Sequence, residues 1–199
     1  MESKKNYMKI DKFNITKNRC FIIAEIGNNH NGSYDRAVEM KVDCVKFQMR
    51  HLDQVYRKKS LSKSGEDLGT EYIIDLLDRF ELSIDEHRSL SNYCKEKGIL
   101  YMCTPWDLKS VQVLESFGVK AYKVASADLT NLPLLDQLSK TKKPLILSTG
   151  MSKVEEVEHV KLFLEKRNVE FVFLHCNSTY PAPFHDINLN WIKSLKKIH

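Results

Sequence analysis

Short apolar runs alternate with amphipathic segments along most of this chain, and no other feature constrains its fold as strongly. The runs are apolar at every position instead of every second one, which is typical of strands buried on both faces of a parallel sheet. We predict strands at 21–27, 42–48, 99–105, 121–126, 144–149 and 171–176. We predict helices at 34–40, 70–80, 83–97, 107–117, 132–139, 153–166 and 189–196. Parallel strands connected by helices indicate an α/β fold.

Polar side chains stand at or next to the carboxyl end of almost every predicted strand. An active site built from the ends of many strands is typical of a (β/α)8 barrel, whereas in a doubly wound sheet such groups gather at one switch point. No G-x-G-x-x-G motif follows the first strand. We therefore predict an incomplete (β/α)8 TIM barrel with about six β/α units and a shortened first helix. The residues at the strand ends are Glu25, Lys46, Gln48, Thr104, Lys123, Ser126, Ser148, Thr149, His175, Asn177 and Ser178.

The composition is that of an ordinary globular protein, with 42% hydrophobic residues, 29% charged residues and a net charge of +5 over 199 residues. Lysine and arginine are spread along predicted helix faces, so we expect no nucleic-acid partner. The five cysteines form no C-x-x-C pair, which favours reduced thiols over a disulfide framework or a zinc site. Because neither a signal peptide nor a membrane-spanning run is recognisable, we predict a soluble, cytoplasmic protein without membrane contact.

The N-terminal residues and the first crossover depart from the regular pattern. Residues 1–20 are predicted to form an extension with a short strand or hairpin, ahead of a partial barrel domain at 21–199. Only 14 residues separate Gly27 from Val42. A strand over 21–27 rises about 23 Å, whereas a helix over 34–40 returns only about 10 Å of that distance. We therefore predict low local stability in the first strand pair.

The first predicted strand leads into a polar loop that contains His30 and Asn31. The strand carries one acidic residue, Glu25, whose burial is costly unless it has a partner or faces a wet site. We expect Glu25 either to reach a functional cavity or to form a structural salt bridge with a lysine. His30 and Asn31 are either substrate ligands or ordinary turn residues.

Lys46 and Lys123 stand inside apolar strands, where lysine is rare. Four interpretations are open: the ammonium groups bind an anionic substrate, one of them is a Schiff-base nucleophile, the side chains extend out of the barrel end to solvent, or they pair with acids such as Glu25 and Asp128. Hydroxyl residues at neighbouring strand ends favour the anion site, although each alone is compatible with a helix cap. These are Thr104, Ser126, Ser148 and Ser178.

The adjacent pair His175 and Cys176 invites a metal-site or Cys/His interpretation. Neighbouring residues of a strand point to opposite faces, so both side chains do not easily enter one site. We therefore assign Cys176 to the core.

Six segments, taken together and in this order, resemble the sialic acid synthase family. They are IIAEIGNNHNG at 22–32, DCVKFQ at 43–48, CTPWD at 103–107, AYKVASAD at 121–128, PLILSTGM at 144–151 and LHCNSTYPAP at 174–183. The resemblance implies a (β/α)8 barrel followed by an antifreeze-like domain, in a homodimer. It also implies the condensation of phosphoenolpyruvate with an N-acetylated sugar aldehyde such as N-acetylmannosamine, assisted by Mn²⁺ or Mg²⁺. The product is an N-acetylneuraminate-type or legionaminate-type nonulosonate.

The resemblance also implies roles for individual residues. Glu25, Gln48 and Tyr180 match positions that face the sugar and the reacting carbons, and Asp128 matches an acidic position near them. The positions that match phosphoenolpyruvate ligands are Lys46, Thr104, Lys123, Ser126, Ser148 and Ser178.

This sequence departs from the family pattern in its length. The family's metal-binding histidines lie beyond the sixth strand, and His199, where this sequence stops, matches none of them. We therefore expect no family metal ligand, no seventh or eighth strand and no antifreeze-like domain in this chain, and little or no synthase activity from it alone. The alternatives are a Schiff-base aldolase that uses Lys46 or Lys123, and a barrel fragment that binds ligands without turnover.

Overall fold

The computed structural model of the protein describes residues 8–16, 18–27, 42–56, 68–179 and 181–198, without the side chains of 68–71. The chain divides into two compact units. We call Phe21–Val119 the Lys46 unit, and Met1–Cys20 together with Lys120–His199 the Lys123 unit.

The described strands of the Lys46 unit are β3 (Ile23–Glu25), β4 (Cys44–Met49) and β5 (Leu100–Pro105), and neighbours in this order pair in parallel. Every residue of β5 is buried, and β4 is buried except for Gln48. This burial explains the continuous apolar runs that predicted both strands, since a strand covered on both faces has no polar side.

Strand β3 differs from its prediction in length and in burial. It is three residues long, and neither the predicted bounds 21–27 nor the predicted burial on both faces is correct. Ile22 is 50% exposed, and no residue of β3 is buried. Within the described residues β3 pairs only with β4, so it is a strand at the edge of a sheet. An edge strand is less enclosed by its neighbours than a central one, which accounts for the exposure.

The helices of the Lys46 unit begin where the sequence offers a cap. Helix α3 (Ile84–Glu96) starts with a capping box, in which Ser83 and Glu86 bind each other's backbone N–H groups. Helix α4 (Leu108–Ser116) is capped by the side chain of Asp107. Helix α2 (Leu68–Phe80) begins two residues before its predicted start at 70, and a one-turn helix, α1 (Leu52–Val55), follows β4 where none was predicted.

The Lys123 unit repeats the alternation of parallel strands and helices. Its parallel strands are β6 (Tyr122–Val124), β7 (Leu145–Ser148) and β8 (Phe171–Leu174). Its α-helices in the described residues are α5 (Leu132–Lys140), α6 (Val154–Glu165) and α7 (Trp191–Ile198). Near the N-terminus, where the sequence predicts a short strand or hairpin, β1 (Met8–Ile10) and β2 (Phe13–Ile15) pair antiparallel.

Several predictions concern residues outside the described ranges. They are the helix at 34–40, the loop residues His30 and Asn31, Tyr180 and His199. The estimate of a short first crossover assumed a strand over 21–27, and β3 itself is shorter than that. Among the described residues, no helix has both the length and the apolar character needed to cross a bilayer.

All five cysteines belong to the described residues and carry free thiols. Burial raises the pKa of Cys94 to about 11 and that of Cys103 to about 12. Since the thiolate is the reactive form, these two buried cysteines are inert parts of the core.

Candidate active site

The candidate site residues Glu25 and Lys46 face each other across the β3–β4 ladder. The Nζ atom of Lys46 lies 2.7 Å from Oε2 of Glu25. The lysine side chain is 6% exposed and the glutamate side chain is 52% exposed. The idea of Glu25 as a buried acid is therefore wrong, whereas its alternative role as the salt-bridge partner of a lysine is what the structure shows. The ammonium group is buried, but its partner remains open to solvent.

Gln48 lies two residues after Lys46 on β4, and both side chains therefore project from the same face of the strand. The Oε1 atom of Gln48 accepts hydrogen bonds from Nη2 of Arg50 and, at 3.2 Å, from Nε1 of Trp106. The guanidinium carbon of Arg50 also lies 5.3 Å from the centre of the Trp106 ring. Gln48 is thus held from one side by two donors that belong to the ends of β4 and β5.

Arg50 is buried, with 6% of its surface exposed, and this burial requires a counter-charge. Glu81 provides it: one carboxylate oxygen lies 3.6 Å from Nε of Arg50, and the other accepts the Arg50 backbone N–H at 3.0 Å. Burial raises the pKa of Glu81, although the hydrogen bond and the positive charge of Arg50 act in the opposite direction. The two residues fix the end of β4 against the segment after α2.

Thr104 is opposite Gln48 in the β4–β5 ladder and is only 2% exposed. Asp107, three residues after Thr104, is also buried and connects the loops that follow β4 and β5. Its carboxylate accepts the backbone N–H groups of His51, at 2.8 Å, and Ser110, at 2.7 Å. The loop geometry next to Thr104 and Gln48 is therefore set by a helix cap.

In the Lys123 unit, the candidate site is centred on the buried ammonium group of Lys123, which is 5% exposed. Its Nζ atom donates to the Val124 carbonyl at 3.1 Å and to the hydroxyl of Ser148 on the neighbouring strand. Ser148 also accepts a hydrogen bond from the thiol of Cys176 at 3.2 Å. Cys176 is half-buried, so its assignment to the core is wrong. It follows β8 outside the regular strand, where the two-face alternation no longer fixes its direction.

Gly150 lies close to the two other predicted site serines of this unit, Ser126 and Ser178. Its N–H donates to Oγ of Ser126 at 3.1 Å. A Cβ atom at this position would lie 2.8 Å from Oγ of Ser178, 3.0 Å from the Cys176 carbonyl and 3.1 Å from Oγ of Ser126. Only glycine therefore lets the loops after β6, β7 and β8 approach so closely. Ser126, Ser148 and Ser178, predicted from separate strand ends, all belong to this cluster around Gly150 and Lys123.

Asp128 is the last residue of the 3₁₀ turn Ser126–Asp128. Its two carboxylate oxygens differ in their hydrogen bonding. Its Oδ1 atom accepts from the side chain of Asn131 at 3.0 Å, whereas Oδ2 is buried without a hydrogen-bond partner in the described residues. Burial raises the pKa of Asp128, and the bond from Asn131 lowers it by less. A carboxyl group of this kind is suited to hold or release a proton.

Arg50, Trp106, Gly150 and Cys176 belong to these two clusters, yet strand ends alone did not point to them. Arg50 and Trp106 lie one residue after the ends of β4 and β5, beyond the last residues of the two strands. Gly150 lies two residues after the end of β7. Tyr180 lies outside the described residues, and among the described residues no group of three or more His, Cys, Asp or Glu side chains could hold a metal ion.

The chain matches the model of the NeuB family over residues 34–199. It is 43% identical over 186 residues to an uncharacterized protein of Methanocaldococcus jannaschii, covering 89% of this chain and 52% of that protein. It is 34% identical over 191 residues to the N,N'-diacetyllegionaminic acid synthase of Campylobacter jejuni, covering 89% of this chain and 57% of that enzyme. The chain thus spans about half the length of the curated relatives it matches.

A solved structure shows the same fold. The N-acetylneuraminic acid (sialic acid) synthetase of Leptospira borgpetersenii superimposes with a TM-score of 0.84 at 30% identity, covering 97% of this chain and 67% of that one. The predicted α/β fold of incomplete (β/α)8 TIM-barrel type is confirmed. The family model, the sequence relatives and the structural neighbour agree, and the chain belongs to the NeuB family.

Proposed function

We propose that this chain binds phosphoenolpyruvate and takes part in the condensation of phosphoenolpyruvate with an N-acetylated sugar aldehyde. The products of this reaction are a sialic-acid-type nonulosonate and phosphate. The observation that carries the proposal is the cluster in the Lys123 unit, in which a buried ammonium group is hydrogen-bonded to Ser148 beside two further serine hydroxyls. Ammonium and hydroxyl donors together suit a phosphate or carboxylate. The names of the relatives, which include a legionaminic acid synthase and a sialic acid synthetase, support the reaction class.

In this proposal Lys123, Ser126, Ser148 and Ser178 bind the anionic groups of phosphoenolpyruvate. For Lys46 and Thr104 the same role is implied by the family resemblance alone. Glu25, Gln48 and Tyr180 contact the sugar, and Asp128 acts close to the reacting carbons. The C=C π electrons of phosphoenolpyruvate form a bond to the aldehyde carbon, and the C=O π pair moves to the aldehyde oxygen, which takes up a proton. Water adds to the resulting oxocarbenium carbon and loses a proton. The new hydroxyl group then loses its proton and becomes the ketone, while phosphate leaves with the electrons of its C–O bond.

The divalent metal that the resemblance implies does not fit the side chains described in this structure, because none of them form a group able to hold it. We therefore derive no step through a metal ion. What the described residues do is bind and orient an anion, and hold a proton at Asp128. We propose that complete synthase activity and the homodimer are properties of the full-length relatives.

Titration with phosphoenolpyruvate tests the proposal, with the shift in unfolding temperature as the readout. Binding to the folded state stabilises it by mass action, so a formed anion site gives a concentration-dependent rise. Pyruvate, which lacks the phosphate, should give a smaller rise. Added Mn²⁺ and N-acetylmannosamine should yield little or no nonulosonate from this chain alone. The absence of any stabilisation by phosphoenolpyruvate would contradict the proposal.

Two alternatives give different results in the same preparation. A Schiff-base aldolase that uses Lys46 or Lys123 would form an adduct with pyruvate that borohydride traps, detectable by mass spectrometry. A barrel fragment that binds ligands without turnover would bind phosphoenolpyruvate but form neither the adduct nor the product, even when the part of a relative beyond the matched region is added.

A further inference from the structure

The amide of Gln48 has an orientation that two neighbouring residues determine. Arg50 Nη2 and Trp106 Nε1 are both donors, and both point to the same atom, Oε1 of Gln48. An amide nitrogen in that position would bring donors against donors. The amide is therefore held with its oxygen toward Arg50 and Trp106 and its NH₂ group on the other side.

The NH₂ group of Gln48 has space beside it because of Gly27. A Cβ atom on Gly27 would lie 3.3 Å from Nε2 of Gln48, which is tighter than an ordinary van der Waals contact. Gly27 also has a φ of 50°, a left-handed conformation that side chains disfavour. Among the described residues, none accepts a hydrogen bond from Nε2 of Gln48.

Arg50 is itself restrained by its neighbours. Arg50 is buried, stacks against the Trp106 ring and faces the carboxylate of Glu81. A guanidinium group restrained in this way loses little further conformational freedom when it donates to Gln48, which makes its hydrogen bond an effective orienting contact.

We propose that Arg50 and Trp106 are positioning residues for Gln48, which they orient so that its amide NH₂ group donates to an acceptor oxygen of the sugar substrate. This inference rests on the proposed function for the identity of the ligand. The orientation of the amide is a separate property, which can be measured without any substrate.

The orientation is tested by NMR on protein labelled with ¹⁵N at glutamine side chains. The chain has four glutamines, so the spectrum is simple, and Gln48→Glu identifies the Gln48 signal by its loss. Trp106→Phe removes one donor but keeps the ring, and Arg50→Lys keeps the charge but loses the planar fork. Both variants should move the Gln48 signal toward that of the exposed Gln112. Arg88→Lys is the matched control, because Arg88 also stacks on a ring, that of Phe117, and should leave the Gln48 signal in place.

Ligand binding supplies the second readout. N-acetylmannosamine should bind roughly two- to tenfold more weakly to Trp106→Phe and Arg50→Lys, which corresponds to one lost or misdirected hydrogen bond. Phosphoenolpyruvate affinity should stay within about twofold of the unmodified chain. An unchanged Gln48 signal in Trp106→Phe would overturn the inference, and this neutral variant keeps the test decisive if Arg50→Lys does not fold. If the unmodified chain binds neither ligand, the proposed function fails, whereas the NMR result still decides the positioning role.

Discussion

Lys46 and Glu25 occupy paired positions in the β3–β4 ladder, and their side chains form an ion pair of 2.7 Å. The two residues were predicted to contact different substrates, phosphoenolpyruvate and the sugar. Their pairing places the Glu25 carboxylate against the ammonium group that an anion would contact at Lys46. An anion that binds Lys46 therefore has to compete with Glu25.

Glu25→Gln should raise the affinity for phosphoenolpyruvate if Lys46 is one of its ligands. Glu25 is half exposed, so the pair contributes only about 0.2–1 kcal/mol, and the gain should be up to about fivefold. The measurement is calorimetric titration at low ionic strength. Glu96→Gln, an exposed carboxylate at the end of α3, controls for the change in net charge and should have a much smaller effect. Unchanged or weaker binding to Glu25→Gln would remove Lys46 from the anion site.

Ser148→Ala should destabilise the fold by about 1–3 kcal/mol, because it takes a hydrogen-bond partner from the buried ammonium group of Lys123. The loss is measured by urea unfolding. Ser116→Ala removes a hydroxyl that bonds the Val113 carbonyl at an exposed position, and it should cost less than about 0.5 kcal/mol. Equal stability of the two variants would show that Lys123 does not depend on Ser148.

Gly150→Ala should disturb the serine cluster, since the new Cβ atom would lie 2.8 Å from Oγ of Ser178 and 3.0 Å from a backbone carbonyl. Overpacking of this kind costs about 1–3 kcal/mol. Adding Ser178→Ala removes the closest atom and should recover part of the stability, although the clash with the Cys176 carbonyl remains. If the double variant is no more stable than Gly150→Ala, Ser178 is not the atom that resists the methyl group.

Asp128→Asn should change the pH dependence of stability. Burial raises the pKa of Asp128 in the folded protein above its usual value of 3.8, so the protonated form is favoured by folding. The stabilisation that this group provides is complete below its unfolded pKa and is lost as pH rises through the folded pKa. The variant should therefore equal or exceed the parent in stability at pH 7, and this advantage should shrink as pH approaches 4.

Asp136→Asn is the control of opposite sign, because hydrogen bonds from Lys140 and then Arg167 lower the pKa of Asp136. Its substitution should reduce stability at pH 7, and the loss should fade as pH falls through the lowered folded pKa. Unfolding curves at several pH values check both variants. A loss of stability at pH 7 in Asp128→Asn would contradict the assignment of a destabilising buried charge.

The fold could be predicted from the sequence because its determinants are local. Continuous apolar runs predict β4 and β5, and helix α3 begins where Ser83 and Glu86 supply a local S-x-x-E cap. Strand β3 was predicted too long, because an apolar run shows where a strand can lie but not how much of it is covered by neighbouring elements.

The site was predictable only in part, for a related reason. The serines around Gly150 stand at or near strand ends, which is where a (β/α)8 barrel is expected to carry its site residues. The pairing of Lys46 with Glu25 depends on the register of β3 against β4, and the contact of Cys176 with Ser148 depends on the path of the chain after β8. Neither register nor loop path is visible in a pattern of residue types. Arg50 and Trp106 escaped notice because they follow the strands and act through Gln48.

Calorimetric titration of phosphoenolpyruvate into Lys123→Gln tests the central claim most directly. Lys120→Gln, an exposed lysine three residues away, is the matched control for charge. The unmodified chain and Lys120→Gln should bind phosphoenolpyruvate equally well, whereas Lys123→Gln should bind at least about tenfold more weakly, since a charged hydrogen bond contributes about 1.5–3 kcal/mol. Equal binding by a folded Lys123→Gln would contradict the account.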